Sequence, residues 1–446
     1  MALKVILMQE VDILISGGTI LVMDEKNTIL EDAAIAVHGD TIAAVSSISD
    51  IKSRFKGRAE INAANSIVMP GLINGHTHAA MTCFRGIADD LELMEWLNRY
   101  IFPAEAKNLS PEFAYWGSLL GCAEMIRSGT TTFCDMYIFE DETAHAAKEA
   151  GMRCLAGEVL FDFPSPNFKT PEEGLDYTRK LLEKWDGDSL VNIVVEPHSL
   201  YTCSPTLWKN AKVLADEFNA PYATHLLENK NEAKELRERF GKPAMAFLEE
   251  TGLLSERFTA FHCVVMNEED MDVFASHGCR AVHTPESNMK LASGIAPVSL
   301  MRKKGIPVGL GTDGCASNND LDMLREMDTA AKLAKVAALD PTALPALDVV
   351  RMATCEGARA LGMEATVGTL QPGKKADIII IGAQKPHLTP MYKEYSQLVY
   401  AANGADVDTV LINGRIVMKD RKLLTIDEQN VIEHVKEIAL RVRNSL

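Results

Sequence analysis

From about residue 70 to 365 the chain alternates between two textures, short apolar runs rich in β-formers and polar segments of helical length. Eight such runs can be counted: "GLINGHTH", "TTTFCDMY", "RCLAGEVL", "NIVVEPHS", "APYATHLLE", "FTAFHCVV", "CRAVHTPESN" and "PVGLGTDG". Among the intervening segments, "SPEFAYWGSLLGCAEMIRSG" opens on Ser110-Pro111-Glu112, a helix-start signal, and stops at Gly129. Eight strand–helix units in about 300 residues is the arithmetic of a (β/α)₈ barrel. The flanks read differently. "VDILISGGTILVMDEKNTILEDAAIAVHGDTIAAVSS" near the start, and "GTLQPGKKADIIIIGAQ" and "VDTVLINGRIVMKDRKLL" near the end, are strands punctuated by turn signals, with Asn413-Gly414 between two of them. Each flank is too small to be comfortable alone. The pattern therefore predicts an α/β chain: residues 1–69 and 366–420 forming one composite β-sandwich, 70–365 the barrel, and 421–446 a C-terminal helix. In that helix Val431, Val435, Ile438 and Val442 fall near one face, as a packing helix requires.

Composition narrows the function classes. Of 446 residues, 47% are hydrophobic and 24% charged, typical of a soluble globular protein. A formal net charge of −17 repels phosphate backbones, so nucleic acid and anionic membrane are excluded as partners. Nine scattered cysteines with no Cys-x-x-Cys pair read as free thiols in a reducing compartment. "MALKVILMQE" lacks a signal-length apolar core, and no apolar run approaches bilayer length, so a cytoplasmic location is expected.

The polar residues inside the apolar runs carry the chemistry. Barrels of this kind place functional groups at the C-terminal ends of their strands. His76 and His78 end the first run, Glu196 and His198 the fourth, while His225 lies in the fifth with Glu228 closing it. His262 lies in the sixth run, His283 in the seventh, and Asp313 closes the eighth. A lone histidine in an apolar strand is more often a hydrogen-bonded core residue than a ligand; the repetition at one end of so many strands is what points to a joint site. Alternation in a strand sends His76 and His78 to the same face, about 6–7 Å apart along the backbone. With His225 and Asp313 they make three imidazoles and a carboxylate, a set of borderline softness for one divalent ion with a position left for water. Such an ion lowers the pKa of bound water from about 16 towards about 7. Glu228 is placed to carry a proton beside the ion. His262, where not itself a ligand, can hold the hydroxide or stabilise an anionic intermediate. Together these groups suit hydrolytic attack on an unsaturated carbon.

These residues in this order resemble the amidohydrolase superfamily. "PGLINGHTH", "HLLE", "FHCV", "HTPESNMKLASG" and "GLGTDG" are similar to its nucleobase and nucleoside deaminases. "TCFRGIADDLELMEWLNRYIFPAEAKNL" is similar to the 5′-methylthioadenosine/S-adenosylhomocysteine deaminases. The resemblance implies zinc-dependent replacement of the adenine amino group by a keto group, releasing ammonia and an inosyl product. It implies His76, His78, His225 and Asp313 as metal ligands, Glu105, His198, Glu228 and Asp313 as substrate contacts, and Glu228, His262 and Asp313 as catalytic groups. Glu105 would otherwise read as a solvated helix-end charge, and His283 is left as a supporting residue. Two-metal members of the superfamily bridge their ions through a modified lysine on the fourth strand; "NIVVEPHS" has none, which argues for one ion. A purine nucleoside is the expected partner, and a homo-oligomer remains open. Rival readings are a guanine deaminase or a triazine or pterin hydrolase on the same metal centre, and an inactive scaffold. One departure stands out. Members that take the charged homocysteine tail are expected to meet it with arginine after the third strand. Here "GEVLFDFPSPNFKTPEEG" offers only Lys169, while Phe161, Phe163 and Phe168 offer apolar surface for a small neutral 5′ group.

Overall fold

The computed structural model describes residues 8–445. Most of the N-terminal stretch read for a targeting signal, the first residues of the 1–69 segment and Leu446 lie outside the described residues. Among the described residues no helix is long and apolar enough to cross a membrane.

The eight runs become eight parallel barrel strands. Leu72–His78, Thr130–Tyr137, Arg153–Leu160, and the interrupted pair Val191–Ile193 and Glu196–Pro197 form one side. Tyr222–Leu226, Phe258–His262, Arg280–His283, and Val308–Leu310 continued by Asp313–Gly314 form the other. Single bridges Val195–Tyr222 and Ser199–His225 join strands four and five. Asp313 pairs Thr77 and Gly314 pairs His78, closing strand eight onto strand one. Helices cover the outside and side chains fill the inside, so the strands are buried on both faces, which is why they read as unbroken apolar runs.

Local chemistry fixes the helices. Ser110 Oγ accepts the Phe113 N–H (3.2 Å) to cap helix Pro111–Arg127, and Pro111 occupies the first turn, where its missing N–H costs nothing. Helix Glu140–Ala150 ends on Gly151 at φ 74°. The stretch leading to Glu105 is less regular. Helix Leu93–Trp96 widens into a π turn over Leu97–Ile101, with the Phe102 N–H reaching back five residues to Leu97 O, before helix Phe102–Asn108 resumes. Pro103 has no N–H to continue the four-residue ladder, which accounts for the widening at this point.

The two flanks meet as expected in one β-sandwich. A four-stranded sheet (Gln9–Ser16, Ala33–His38, Thr41–Ser47, Phe55–Asn62) faces a seven-stranded one in which Ser66–Pro70 pairs antiparallel with Ile378–Gly382. Ile15, Ile20, Ile35, Val68, Ile378 and Leu411 pack between them. Asn413 and Gly414 both take positive φ (51° and 75°), the two-residue hairpin turn their sequence implies. The C-terminal helix, Glu428–Ser445, buries Val431, Val435, Ile438 and Val442. It is pinned to the end of helix Pro111–Arg127 by a two-pronged Arg127–Glu428 ion pair (2.7 and 2.5 Å). Sandwich and barrel are tied by Arg153, almost fully buried, whose guanidinium grips Asp377 at 2.9 and 3.1 Å.

Candidate active site

At the C-terminal mouth of the barrel the polar strand ends converge. Strand one projects His76 and His78 to the same side, their rings 4.8 Å apart, and His225 from strand five stands 4.9 Å from His76. Asp313 Oδ1 lies 3.1 Å from His78 Nε2 and 3.5 Å from His76 Nε2. Candidate ligand atoms of His76, His78 and His225 lie within 4.8 Å of one another, and so do those of His76, His262 and Asp313. Carbonyls select the tautomers. His78 Nδ1–H donates to Met136 O, and His225 Nδ1–H donates to His198 O at 2.8 Å, so both rings turn Nε2 to the centre, where a metal would take its lone pair; against its burial, the Asp313 carboxylate raises His78 to about 9.

His76 supplies the test of whether an ion fits. Its ring is wholly buried, stacked 4.0 Å from Phe261, and among the described residues neither ring nitrogen has a hydrogen-bond partner. A buried imidazole without a partner is costly unless something else takes its lone pair. Burial also pushes His76 down to about 3 and His225 well below the usual histidine range, keeping both neutral as metal binding requires. The donor set is that of a divalent-cation site.

The profile of the amidohydrolase family matches residues 67–417, which takes in the whole barrel and the strands of the sandwich that flank it. The chain belongs to the amidohydrolase family. A curated relative from Syntrophus aciditrophicus, named 5-methylthioadenosine/S-adenosylhomocysteine deaminase 1, is 63% identical over 98% of this chain and 99% of its own. A 5′-deoxyadenosine deaminase from Methanothermobacter thermautotrophicus is 44% identical over 96% and 97%. Among solved structures, an adenosine deaminase from Xanthomonas campestris with bound zinc superposes with a TM-score of 0.96 at 36% identity, covering 98% of this chain and 100% of its own.

Beyond the imidazole cluster, this amidohydrolase lines its cavity with Glu105, His198, Glu228 and His262. Leu227 takes a left-handed conformation (φ 54°) just after strand five, and the turn brings Glu228 onto the cavity wall three residues past His225. The turn is held by Glu232, whose carboxylate accepts the N–H groups of Leu227 (3.1 Å) and Glu228 (2.6 Å). Burial raises Glu228 above the ordinary glutamate range, against the opposing pull of His262. His262 (φ 70°) directs Nδ1 to Thr284 Oγ1 (2.8 Å) and Asn288 Oδ1 (3.0 Å); because Asn288 Oδ1 only accepts, Nδ1 carries the proton and Nε2 looks inward. Asp313 (φ 63°) receives Ser287 Oγ–H on Oδ2 at 2.6 Å. Burial opposes its ionisation, but the His76 and His78 imidazoles beside it, 3.5 and 3.1 Å away, hold it well below the usual carboxylate range.

Glu105 is not a solvated helix end. It is 8% exposed on the cavity wall, its Oε1 accepting the Tyr137 hydroxyl at 2.6 Å, and burial raises it to about 7. His198 lines the same cavity with Nδ1 engaged by Thr202 Oγ1 (2.9 Å), and burial together with the neighbouring imidazoles pushes it to about 3. Two strand-end residues stay out of the cavity. Glu196 is buried against the backbone of Gly157, and His283 contributes its carbonyl, which accepts Gly311 N–H at 2.9 Å. Of the three phenylalanines, Phe161 lines the cavity and Phe163 stacks on it at 4.6 Å. Phe168 corrects the expectation: it is buried beneath the loop against helix Pro171–Lys184 at Gly174, where an apolar ring is better covered than at the mouth. Tyr137, Glu232, Thr284, Ser287 and Asn288 escape a reading of the sequence. Each acts on its partner across a turn or from another strand, and only the "HTPESN" run, which contains three of them, offered a signal.

Proposed function

We propose that this amidohydrolase replaces the adenine amino group of 5′-modified adenosines, 5′-methylthioadenosine and S-adenosylhomocysteine among them, by a keto group, releasing ammonia. The observation that carries the reading is one cavity holding a cation site, a buried carboxylic acid (Glu228) beside it, and a second carboxylate (Glu105) on the wall. His76, His78, His225 and Asp313 would hold one divalent ion, zinc by likeness to the solved relative, and that ion supplies the Lewis acidity that makes water a nucleophile at neutral pH.

The chain's own groups then balance the protons. As the water oxygen bonds to C6, Asp313 takes a proton from the water and Glu228 delivers one to N1, which ends the ring's aromaticity and lets the electron pair settle on nitrogen. His262 accepts a hydrogen bond from the entering oxygen through Nε2. Asp313 passes its proton to the C6 amino group; the C–N bond breaks, ammonia leaves, and Glu228 recovers a proton from the oxygen as the keto group forms. Glu105, an acceptor when ionised, holds the ribose hydroxyls, and His198 donates to a ring nitrogen or a sugar oxygen. In this reading residues 70–365 are the catalytic barrel, and the sandwich segments 1–69 and 366–420 stabilise it.

Ammonia release across adenosines varied at the 5′ position, with guanine and a triazine in parallel, tests the proposal. Turnover confined to the adenosines is expected. Turnover of guanine or the triazine alone would overturn it, and no turnover of any compound by metal-loaded protein would favour an inactive scaffold.

A further inference from the structure

Resting on the deaminase reading above, we propose that the 5′ subsite of this chain takes small uncharged substituents and discriminates against a tail that carries a carboxylate, with the aromatic ladder Phe102–Phe163–Phe161 as its specificity-determining wall.

The placement follows from what the two ends of the nucleoside need. The reacting edge of the purine belongs at the imidazole–Asp313 cluster, and the ribose hydroxyls belong at Glu105. The 5′ carbon, on the other side of the sugar, is left to the rest of the wall. Phe102, three residues before Glu105, meets Phe163 edge-on at 6.2 Å; Phe163 stacks on Phe161 at 4.6 Å; and Phe161 stands 5.0 Å from His198. The ladder thus links the helix that bears Glu105 to His198; Phe102 and Phe161 line the cavity with Leu97 and Ile101, and Phe163 joins the two from the exposed rim.

Away from the cation site the wall offers a carboxylate tail no lysine or arginine: among the described residues neither lines the cavity, and its carboxyls are Glu105, Glu228 and Asp313. The one base in the loop after strand three, Lys169, is exposed and off the wall, anchored through its backbone N–H to Glu173 (2.7 Å) and following Phe168, which is turned into the protein. Of the cations beside lining residues, Lys290, next to Leu291, is already engaged by Asp89 (2.6 Å) and Ala316 O (3.2 Å), and Arg239 by the carbonyls of Leu200 (2.7 Å) and Tyr201 (2.9 Å). A carboxylate seated against the ladder would lose hydration and gain no partner, whereas a thiomethyl or methyl group loses nothing there. A charge-assisted hydrogen bond is worth about 1.5–3 kcal/mol, so its absence corresponds to about 10- to 150-fold in relative efficiency.

The experiment compares kcat/KM for 5′-methylthioadenosine, 5′-deoxyadenosine and S-adenosylhomocysteine on the metal-loaded enzyme, in the wild type and in Phe163→Arg and Phe163→Gln. Phe163 is 40% exposed, so both side chains can be accommodated at the mouth. The two neutral substrates should exceed S-adenosylhomocysteine by at least about tenfold in the wild type. Phe163→Arg should move the ratio at least tenfold towards the charged substrate, and Phe163→Gln should not. Equal or inverted wild-type values would overturn the proposal while leaving the deaminase reading intact. A ratio unmoved by Phe163→Arg would overturn the assignment of the ladder to the 5′ group. Failure to release ammonia from any of the three would refute the deaminase reading instead, and this proposal with it.

Discussion

Glu228 and Glu105 are buried carboxyls in one cavity, and their surroundings suit them to opposite duties. Among the described residues the Glu228 carboxyl has no hydrogen-bond partner, and burial favours the protonated form, as an acid needs. Replacing it by Gln keeps the shape but removes the proton, so kcat should fall about 10²–10⁴-fold while metal content stays normal; steady-state rates with metal analysis on the same sample would check this, and a loss below about threefold would make Glu228 a contact residue only. Glu105 instead receives a hydrogen bond from the Tyr137 hydroxyl that favours its ionised form against burial. Removing that donor in Tyr137→Phe should raise KM by about 2- to 12-fold with kcat little changed, the range of one ordinary hydrogen bond. An effect confined to kcat would contradict it. The two residues also differ in legibility. Glu228 closes an apolar run with His225 three residues before it, whereas nothing in "PAEAKN" announces burial, since what buries Glu105 is a wall assembled from Tyr137 and a π turn. Similarity to relatives had to supply what local pattern lacked.

At the scale of elements, the segment that follows the metal-binding histidines is held by a glycine. A Cβ at Gly117, on helix Pro111–Arg127, would sit 2.5 Å from Ala80 O and 2.9 Å from Ala80 Cα, in the 3₁₀ turn Ala79–Phe84 directly after His78. Backbone atoms cannot swing away, so Gly117→Ala should cost about 1–3 kcal/mol despite the gain of about 1 kcal/mol that alanine brings to a helix. It should also weaken metal retention, because the turn moves with His78. One turn along, the same substitution at Gly121 meets Ala79 O at 3.3 Å, close enough for helix propensity to offset the contact, and should be near neutral. Thermal melts with metal titration of the pair would check this; equal losses at both sites would sink it. Such contacts explain where the sequence falls silent. The eight strands, the hairpin at Asn413-Gly414 and the apolar stripe of the last helix each follow from a period or a turn rule within a few residues. The need for glycine at 117, the π turn before Pro103 and the inward turn of Phe168 depend on what other elements press against, and no local period carries that.

Across the whole molecule, acidity is not confined to the surface that gives the chain its net charge of −17. Glu158, in barrel strand three, is wholly buried, accepting the Glu140 N–H (2.9 Å) and Asn167 Nδ2–H (2.8 Å). Burial raises it from the usual 4.5 to about 7, more than those hydrogen bonds lower it. The sign for stability follows from proton counting. Between pH 4.5 and about 7 the folded chain keeps a proton on Glu158 that the unfolded chain releases, so stability falls as pH rises through that window and levels off above it. A shift of that size corresponds to about 3 kcal/mol at about 1.4 kcal/mol per unit. Glu158→Gln cannot ionise and keeps an acceptor for the Glu140 N–H, so it should match the wild type near pH 5 and exceed it by up to about 3 kcal/mol at pH 8. The comparison uses denaturant unfolding of both metal-loaded proteins at the two pH values, so that loss of metal or titration of other carboxyls cancels in the difference. A difference that stays flat from pH 5 to 8 would mean that Glu158 is already ionised in the fold at pH 5, and that the two donors, rather than burial, decide its charge.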